Sequence, residues 1–309
     1  MTIAAPAYRL VAAQLVLELG SRPWLMGVVN ASPDSFSDGG RYRTLQQRVE
    51  LAAELLGAGA DILDVGGESA STNRPQVEAR EEIERVVPLI ERIVAQLDAI
   101  VSVDTYKPEV ARAAIAAGAS IVNDVSGLRD PGLAEVCAQT GAALVVMHTR
   151  AAPKQRMQDL DLYEDVTQDA LGFLEERIAF ALRAGVARAQ LIVDPGPDFA
   201  KTPAQTVELL ASVSSLHSLG CPLLMAISRK DFIGALTGRA PRERLAGTLA
   251  ALAHGVDAGA HIFRVHDVAA ASDYLTVRSA LAGELVPSRD LELAEELRYD
   301  PNAADTLAE

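Results

Sequence analysis

The stretch VSVDTYKPEVARAAIAAGASIVND, residues 101–124, constrains this chain more than any other. A β-branched run at residues 101–103 stops on Asp104. Lys107-Pro108 then opens an Ala-rich segment with apolar residues at Val110, Ala113, Ile115 and Ala116, a helical spacing that Gly118 ends. A second run, Ile121-Val122, stops on Asn123-Asp124. Strand, turn, helix, strand is a parallel unit, and joining parallel strands through a helix delivers their ends to one rim of a sheet or barrel.

The rest of the chain repeats the unit. Strands are expected at residues 25–29, 61–65, 143–147, 190–193, 222–227 and 262–265, besides the two above. Helices are expected at about residues 45–56, 77–97, 131–140, 164–184, 203–219, 242–258 and 269–282. Eight strand–helix units in about 260 residues match an α/β fold of the (β/α)8 TIM-barrel type, in a single domain. A doubly wound open sheet is the rival, but it places its site at one switch point, whereas here nearly every strand ends in a polar residue. Residues 1–22 read as lead-in strands, 23–285 as the barrel and 286–309 as an acidic tail.

Composition narrows the partners. A formal net charge of −14 argues against nucleic acid and against an anionic membrane surface. The two cysteines, Cys137 and Cys221, sit in apolar segments and suit a reduced compartment, with no CxxC to hold a metal. The N-terminal stretch lacks the basic region of a signal peptide and is too short to span a bilayer, so a cytoplasmic protein is expected. No GxxxxGK[ST] or GxGxxG motif is present.

In a barrel the C-terminal strand ends converge on one mouth. There the sequence places Asn30, Glu68, Asp104, Asn123, His148, Asp194, Ser228, Lys230, Arg264 and His266. Any single Asp or Asn in that set could merely cap the following helix, but capping does not call for Lys, Arg and His on neighbouring strands. Asp104, Asn123 and Asp194 suit a donor-rich planar heterocycle. Lys230, Arg264 and His266 make a positive corner of the kind that holds phosphate. Asn30 and the Asp-containing loop after it offer oxygen ligands to Mg²⁺, which takes few protein ligands besides substrate phosphates. A heterocycle beside a diphosphate is the implied substrate. His148 reads as structural, His217, His254 and His261 as non-functional, and the long loop at about residues 150–163 as a lid or binding element.

Taken together, LMGVVNASPDSFSDGG, DILDVGGES, VSVDT, IVNDVSG, VVMH, DPGPDFAKT, SRKDFIG and RVHDV resemble the dihydropteroate synthase family in order and spacing, over roughly residues 20–285. The resemblance implies a (β/α)8 transferase of folate synthesis. Such an enzyme joins 4-aminobenzoate to the methylene of a hydroxymethyl-dihydropterin diphosphate by an SN1-like route, with Mg²⁺ and release of pyrophosphate. It further implies that Asp104, Asn123, Asp194 and Lys230 grip the pterin. Asn30, Arg264 and His266 would hold the diphosphate and its Mg²⁺, with Asp38 assisting. Phe199 and Lys201 would line the pocket wall, Ser228 would contact substrate, and the protein would be a homodimer packed through late helices.

The departures from the family pattern gather on the aminobenzoate side. The second loop reads Ala70, Ser71 and Thr72 where the family has Thr, Arg and Pro. Asp231 follows SRK where Ser is common, beside the expected place of the aminobenzoate carboxylate, and Asp198 replaces a Gly. Two carboxylates about 4 Å apart repel by about 1 kcal/mol in water and more when buried. An alternative is therefore a diverged paralogue that binds the pterin diphosphate but has lost or changed its use of aminobenzoate. A pterin-binding methyltransferase module is a third reading, disfavoured by the positive corner.

Overall fold

The computed structural model describes residues 4–32, 42, 44–69 and 75–298. Two strands open the chain, β1 (Tyr8–Ala12) and β2 (Leu15–Leu19), an antiparallel hairpin that turns at Ala13, where φ is 55°. Eight parallel strands follow: β3 (Trp24–Asn30), β4 (Ile62–Gly66), β5 (Ile100–Asp104), β6 (Ile121–Asp124), β7 (Ala143–Met147), β8 (Leu191–Asp194), β9 (Leu224–Met225) and β10 (Ile262–Val265). Their order is β8-β7-β6-β5-β4-β3-β10-β9, and a parallel bridge between Val193 and Leu223 joins the two ends into a barrel. That closure rules out the open-sheet alternative.

The helices are α1 (Leu45–Gly57), α2 (Ala79–Leu97), α3 (Pro108–Ala116), α4 (Pro131–Thr140), α5 (Val166–Arg183), α6 (Pro203–Ala211), α7 (Asp231–Thr237), α8 (Leu245–Asp257) and α9 (Val268–Leu281). Local chemistry sets their ends. Thr44 and Thr202 each form a capping box with a Gln three residues on, and Asp130 accepts from the Gly132 amide ahead of Pro131. Among these helices, α1 packs on β3 and β4, α2 on β4 and β5, and α5 on β7.

Alternation along the strands turns Met26, Ile62, Ile121, Ala143, Ile192, Leu224 and Ile262 into the barrel, where Leu10, Leu17 and Leu19 of the hairpin pack against them. Most of these barrel residues lie in the first half of their strands, so the hairpin seals the end opposite the mouth. His261 ties the hairpin in: its Nε2 lies 2.9 Å from the Pro6 carbonyl, and its Nδ1 accepts from the Leu223 amide at 3.0 Å.

Two elements differ from expectation. The helix expected over residues 203–219 stops at Ala211 and continues as a 3₁₀ segment, Val213–Leu219. Ser215 and Ser218 donate their hydroxyls to the carbonyls of Ser212 and Ser215 at 2.7 and 2.8 Å, a competition that favours tighter turns. The seventh barrel strand shrinks to Leu224–Met225 because Pro222 lacks an N–H and Arg229, at φ 58°, turns the chain out, its amide donating to Thr248 Oγ1 instead.

Residues 1–272 form one unit and residues 273–309 a second. Within the second, Ser279 Oγ donates to Glu284 at 3.2 Å, and a 3₁₀ turn covers Glu295–Leu297.

Candidate active site

Strand register assembles the mouth. Asn30 pairs with Gly66, Gly66 with Asp104, and Asp104 with Asn123, so the ends of β3 to β6 form one row. One row deeper, Asp64 lies beside Val28 and Ser102 and is fully enclosed. From β10, the strand next to β3, Arg264, paired in register with Met26, extends its guanidinium between two carboxylates. Nε donates to Asp64 Oδ2 at 2.6 Å and Nη2 to Asp104 Oδ2 at 2.9 Å. Asn123 Nδ2 donates to the same Asp64 oxygen at 3.1 Å.

Asp194, at the end of β8, accepts from the Gly196 amide at 2.7 Å. Gly196 sits at φ 63°, and a Cβ there would come within 2.1 Å of the His148 carbonyl oxygen. Lys230 lies with its Nζ 4.4 Å from the centre of the Phe199 ring.

Burial dominates the electrostatics. It raises the Asp104 carboxyl to about 7; Arg264 opposes the shift, while Asp64, Glu82 and Asp124 add to it. Burial raises Asp194 to about 6, against the Gly196 amide, Lys230, Lys201 and Arg264. Lys230 is lowered by burial, with Asp198 and Asp194 resisting. For Arg264 burial pulls down, but Asp64 and Asp104 outweigh it and its pKa is raised.

The positive corner therefore needs correction. Burial, then Arg264 and Arg229, lower His266 to about 3, so its imidazole is neutral at ordinary pH. The charge of Arg264 is already answered by two carboxylates. Ser228 holds His266: its Oγ accepts the His266 amide at 3.2 Å and lies 3.0 Å from Nδ1. With the amide donating to that oxygen, the hydroxyl proton can turn to Nδ1, leaving Nε2 protonated.

Lys201 does not line the wall. It is fully enclosed, donating to the carbonyls of His148, Gly196 and Phe199 at 3.2, 2.9 and 3.0 Å, and so pins the loop after β8. His148 is buried with Nε2 2.9 Å from Asp169 Oδ1. His217 and His254 bond the carbonyls of Ala258 and Leu210, both at 2.8 Å.

A cavity of about 390 Å³ is lined by Asp104, Phe199, Lys230, Asp231 and the loop after β7 among others, while Asn123, Asp194, Arg264 and His266 are not among its lining residues. That loop is tied at both ends. Lys154 bonds Glu68 Oε1 at 3.2 Å and the Ser69 carbonyl, while the Tyr163 hydroxyl donates to the Ala200 carbonyl at 2.9 Å. Glu68 is thus no free rim acceptor; Lys107 joins it at 2.5 Å and also bonds buried Glu82.

Asp231 is exposed, and Arg244 meets its Oδ1 at 3.0 Å, which offsets the repulsion expected from that position. Asp198, at φ 66°, accepts the Asp231 and Phe232 amides on Oδ2 at 2.5 and 3.4 Å and so caps α7. Asp38, Ala70, Ser71 and Thr72 lie outside the described residues. Asp64 and Arg244 were not singled out from the sequence. Asp64 had a visible signal, a carboxylate on the inward face of an otherwise apolar strand; Arg244 had none.

A closed parallel barrel whose mouth gathers carboxylates, an amide and deep-set cations defines an enzyme that holds a polar heterocycle. The family described as pterin binding enzyme matches residues 26–266. Dihydropteroate synthase of Escherichia coli (strain K12) is 42% identical over 248 residues, which are 80% of this chain and 88% of that protein. A Xanthomonas albilineans dihydropteroate synthase solved with 4-aminobenzoic acid is 45% identical, with a TM-score of 0.82 over 91% of this chain and 100% of the other. The same organism's enzyme in complex with 7,8-dihydropteroate is also 45% identical, with a TM-score of 0.76 over 86% of this chain and 95% of the other. The chain belongs to the dihydropteroate synthase family of pterin-binding enzymes.

Proposed function

We propose that this chain condenses 6-hydroxymethyl-7,8-dihydropterin diphosphate with 4-aminobenzoate and releases pyrophosphate. The observation that carries the reading is Asp104, which lines the cavity together with Lys230 and is held from behind by the Arg264 guanidinium that Asp64 also grips. Relatives 45% identical to this chain were solved with 4-aminobenzoic acid and with 7,8-dihydropteroate, which supports the same pair of ligands here.

Asp104, Asn123 and Asp194 would accept and donate along the edge of the pterin, with Lys230 beside its ring. The bond from the pterin methylene to the diphosphate oxygen breaks and its electron pair leaves with pyrophosphate. The charged carboxylate of Asp104 favours the cationic methylene until the amine nitrogen attacks and sheds a proton. Nε2–H of neutral His266 and the guanidinium of Arg264 would donate toward the departing diphosphate, with Asp38 of the first loop assisting.

Among the described residues no group of three or more His, Cys, Asp or Glu side chains could hold a metal. Asn30 ends β3 in the rim row, and its side-chain amide oxygen would suit Mg²⁺ arriving on the diphosphate. Mg²⁺ bound there would screen the phosphate charge. The protein is further read as a cytoplasmic homodimer packed through late helices.

The test supplies both substrates with Mg²⁺ and follows pyrophosphate and dihydropteroate. Release that requires all three is expected. No release above background, with pterin diphosphate still bound, would leave the chain a pterin-binding paralogue.

A further inference from the structure

We propose that Asp64 is a positioning residue, whose carboxylate orients Arg264 and Asn123 together so that they meet the pterin diphosphate as one preformed surface. This rests on the reading that Asp104 and Asn123 meet the pterin and Arg264 its diphosphate. Asp64 itself lies a full row below the rim, beside Ser102, and does not line the cavity. Its reach to the cavity is therefore through other side chains, of which Asp104, held by Arg264, lines it.

Three observations carry the role. First, one oxygen, Oδ2, accepts from both Arg264 Nε at 2.6 Å and Asn123 Nδ2 at 3.1 Å, so one atom fixes two side chains from opposite sides of the barrel. An ionised carboxylate only accepts, and it therefore dictates which end of the Asn123 amide faces it. Nδ2 turns down to Asp64, and the amide oxygen is left to face up as an acceptor.

Second, Arg264 spends Nε on Asp64 and Nη2 on Asp104. Held at two points, the guanidinium plane cannot rotate, and Asp104 is held with it. Third, the arrangement is costly. Asp64 is fully buried, and its other oxygen, Oδ1, has no hydrogen-bond partner. A well-packed apolar residue at such a place is commonly as stable as a buried ion pair, or more so. A carboxylate kept there in spite of that cost serves the geometry above it.

The charge of Asp64 also reaches the rim. The groups acting on Asp104 are Arg264 of β10, Asp64 of β4, Glu82 of α2 and Asp124 of β6, and Asp64 is one of the three acids that raise its pKa.

The experiment compares parent, Asp64→Asn and Asp64→Glu proteins by titration calorimetry with pterin diphosphate and Mg²⁺ across pH, with thermal melts alongside. Binding is measured rather than turnover, so the inference stands apart from the catalytic reading: a parent that binds but does not turn over sinks only the latter. Asp64→Asn is expected to weaken pterin diphosphate binding at least tenfold. Its acid loss of affinity should also shift to lower pH, because removing one carboxylate lets Asp104 ionise more readily. Asp64→Glu keeps the charge but displaces it, so affinity should fall while the acid midpoint stays near the parent's. If Asp64→Asn does not fold, Asp64→Glu decides by affinity. Parent-like affinity and an unmoved midpoint in either folded variant's decisive readout would overturn the proposal, as would a parent that does not bind pterin diphosphate.

Discussion

Asp104 and Asp194 hold their carboxyls at about 7 and about 6 because the barrel interior disfavours their charge. A carboxyl whose folded-state pKa is raised adds stability while protonated, and that contribution is lost as pH rises through the raised value. The stability of Asp104→Asn, which cannot ionise but gives up the ion pair with Arg264, is therefore expected to rise relative to the parent's, by a margin that grows between about pH 5 and about pH 8. Thermal melts at the two values check this, and an equal margin at both would contradict it. The same residues show what the sequence displayed. Asp104, Asn123 and Asp194 were legible because they stop apolar runs at strand ends, where a barrel concentrates its chemistry. Asp64 was harder to find because its meaning lies in Arg264, 200 positions away, and no local pattern records that distance. The family resemblance implies a pocket role for Lys201, but its three carbonyl partners belong to backbone that only the fold brings together.

Elements with strong punctuation emerge from the sequence with their boundaries intact. The helix Pro131–Thr140 has Asp-Pro before it and Gly141, at φ 75°, after it; the strand Ala143–Met147 is an unbroken apolar run, and Ile262–Val265 is broken only by Arg264. The segment after Pro203 shows weaker punctuation: Ser212 interrupts a continuous apolar periodicity that reads as one helix. The loop that follows β8 is the element on which the site most depends, since it carries Gly196, Asp198, Phe199 and Lys201. Gly196→Ala is expected to cost about 3 kcal/mol, from a Cβ forced onto the His148 carbonyl in a left-handed backbone. Urea unfolding measures it, and a loss below about 1 kcal/mol would mean that the loop yields at little cost.

At the scale of the barrel, its two ends do different work. The hairpin plugs one end with Leu10, Leu17 and Leu19, while the ionisable groups occupy the other. Leu17→Asp is expected to lower stability by about 3 kcal/mol by burying a charge, yet to leave the affinity of the folded protein for pterin diphosphate unchanged. Calorimetry on the variant, at a temperature where it is fully folded, would detect any coupling between the ends.

The loop after β7 is fastened to the loop after β4 by Lys154, which grips Glu68 and the Ser69 carbonyl. Whatever passes between those two loops must first part a cation from an anion. Both side chains are largely buried, so added electrolyte loosens that clasp little, and separating the two loops means bringing a sheltered ion pair into water.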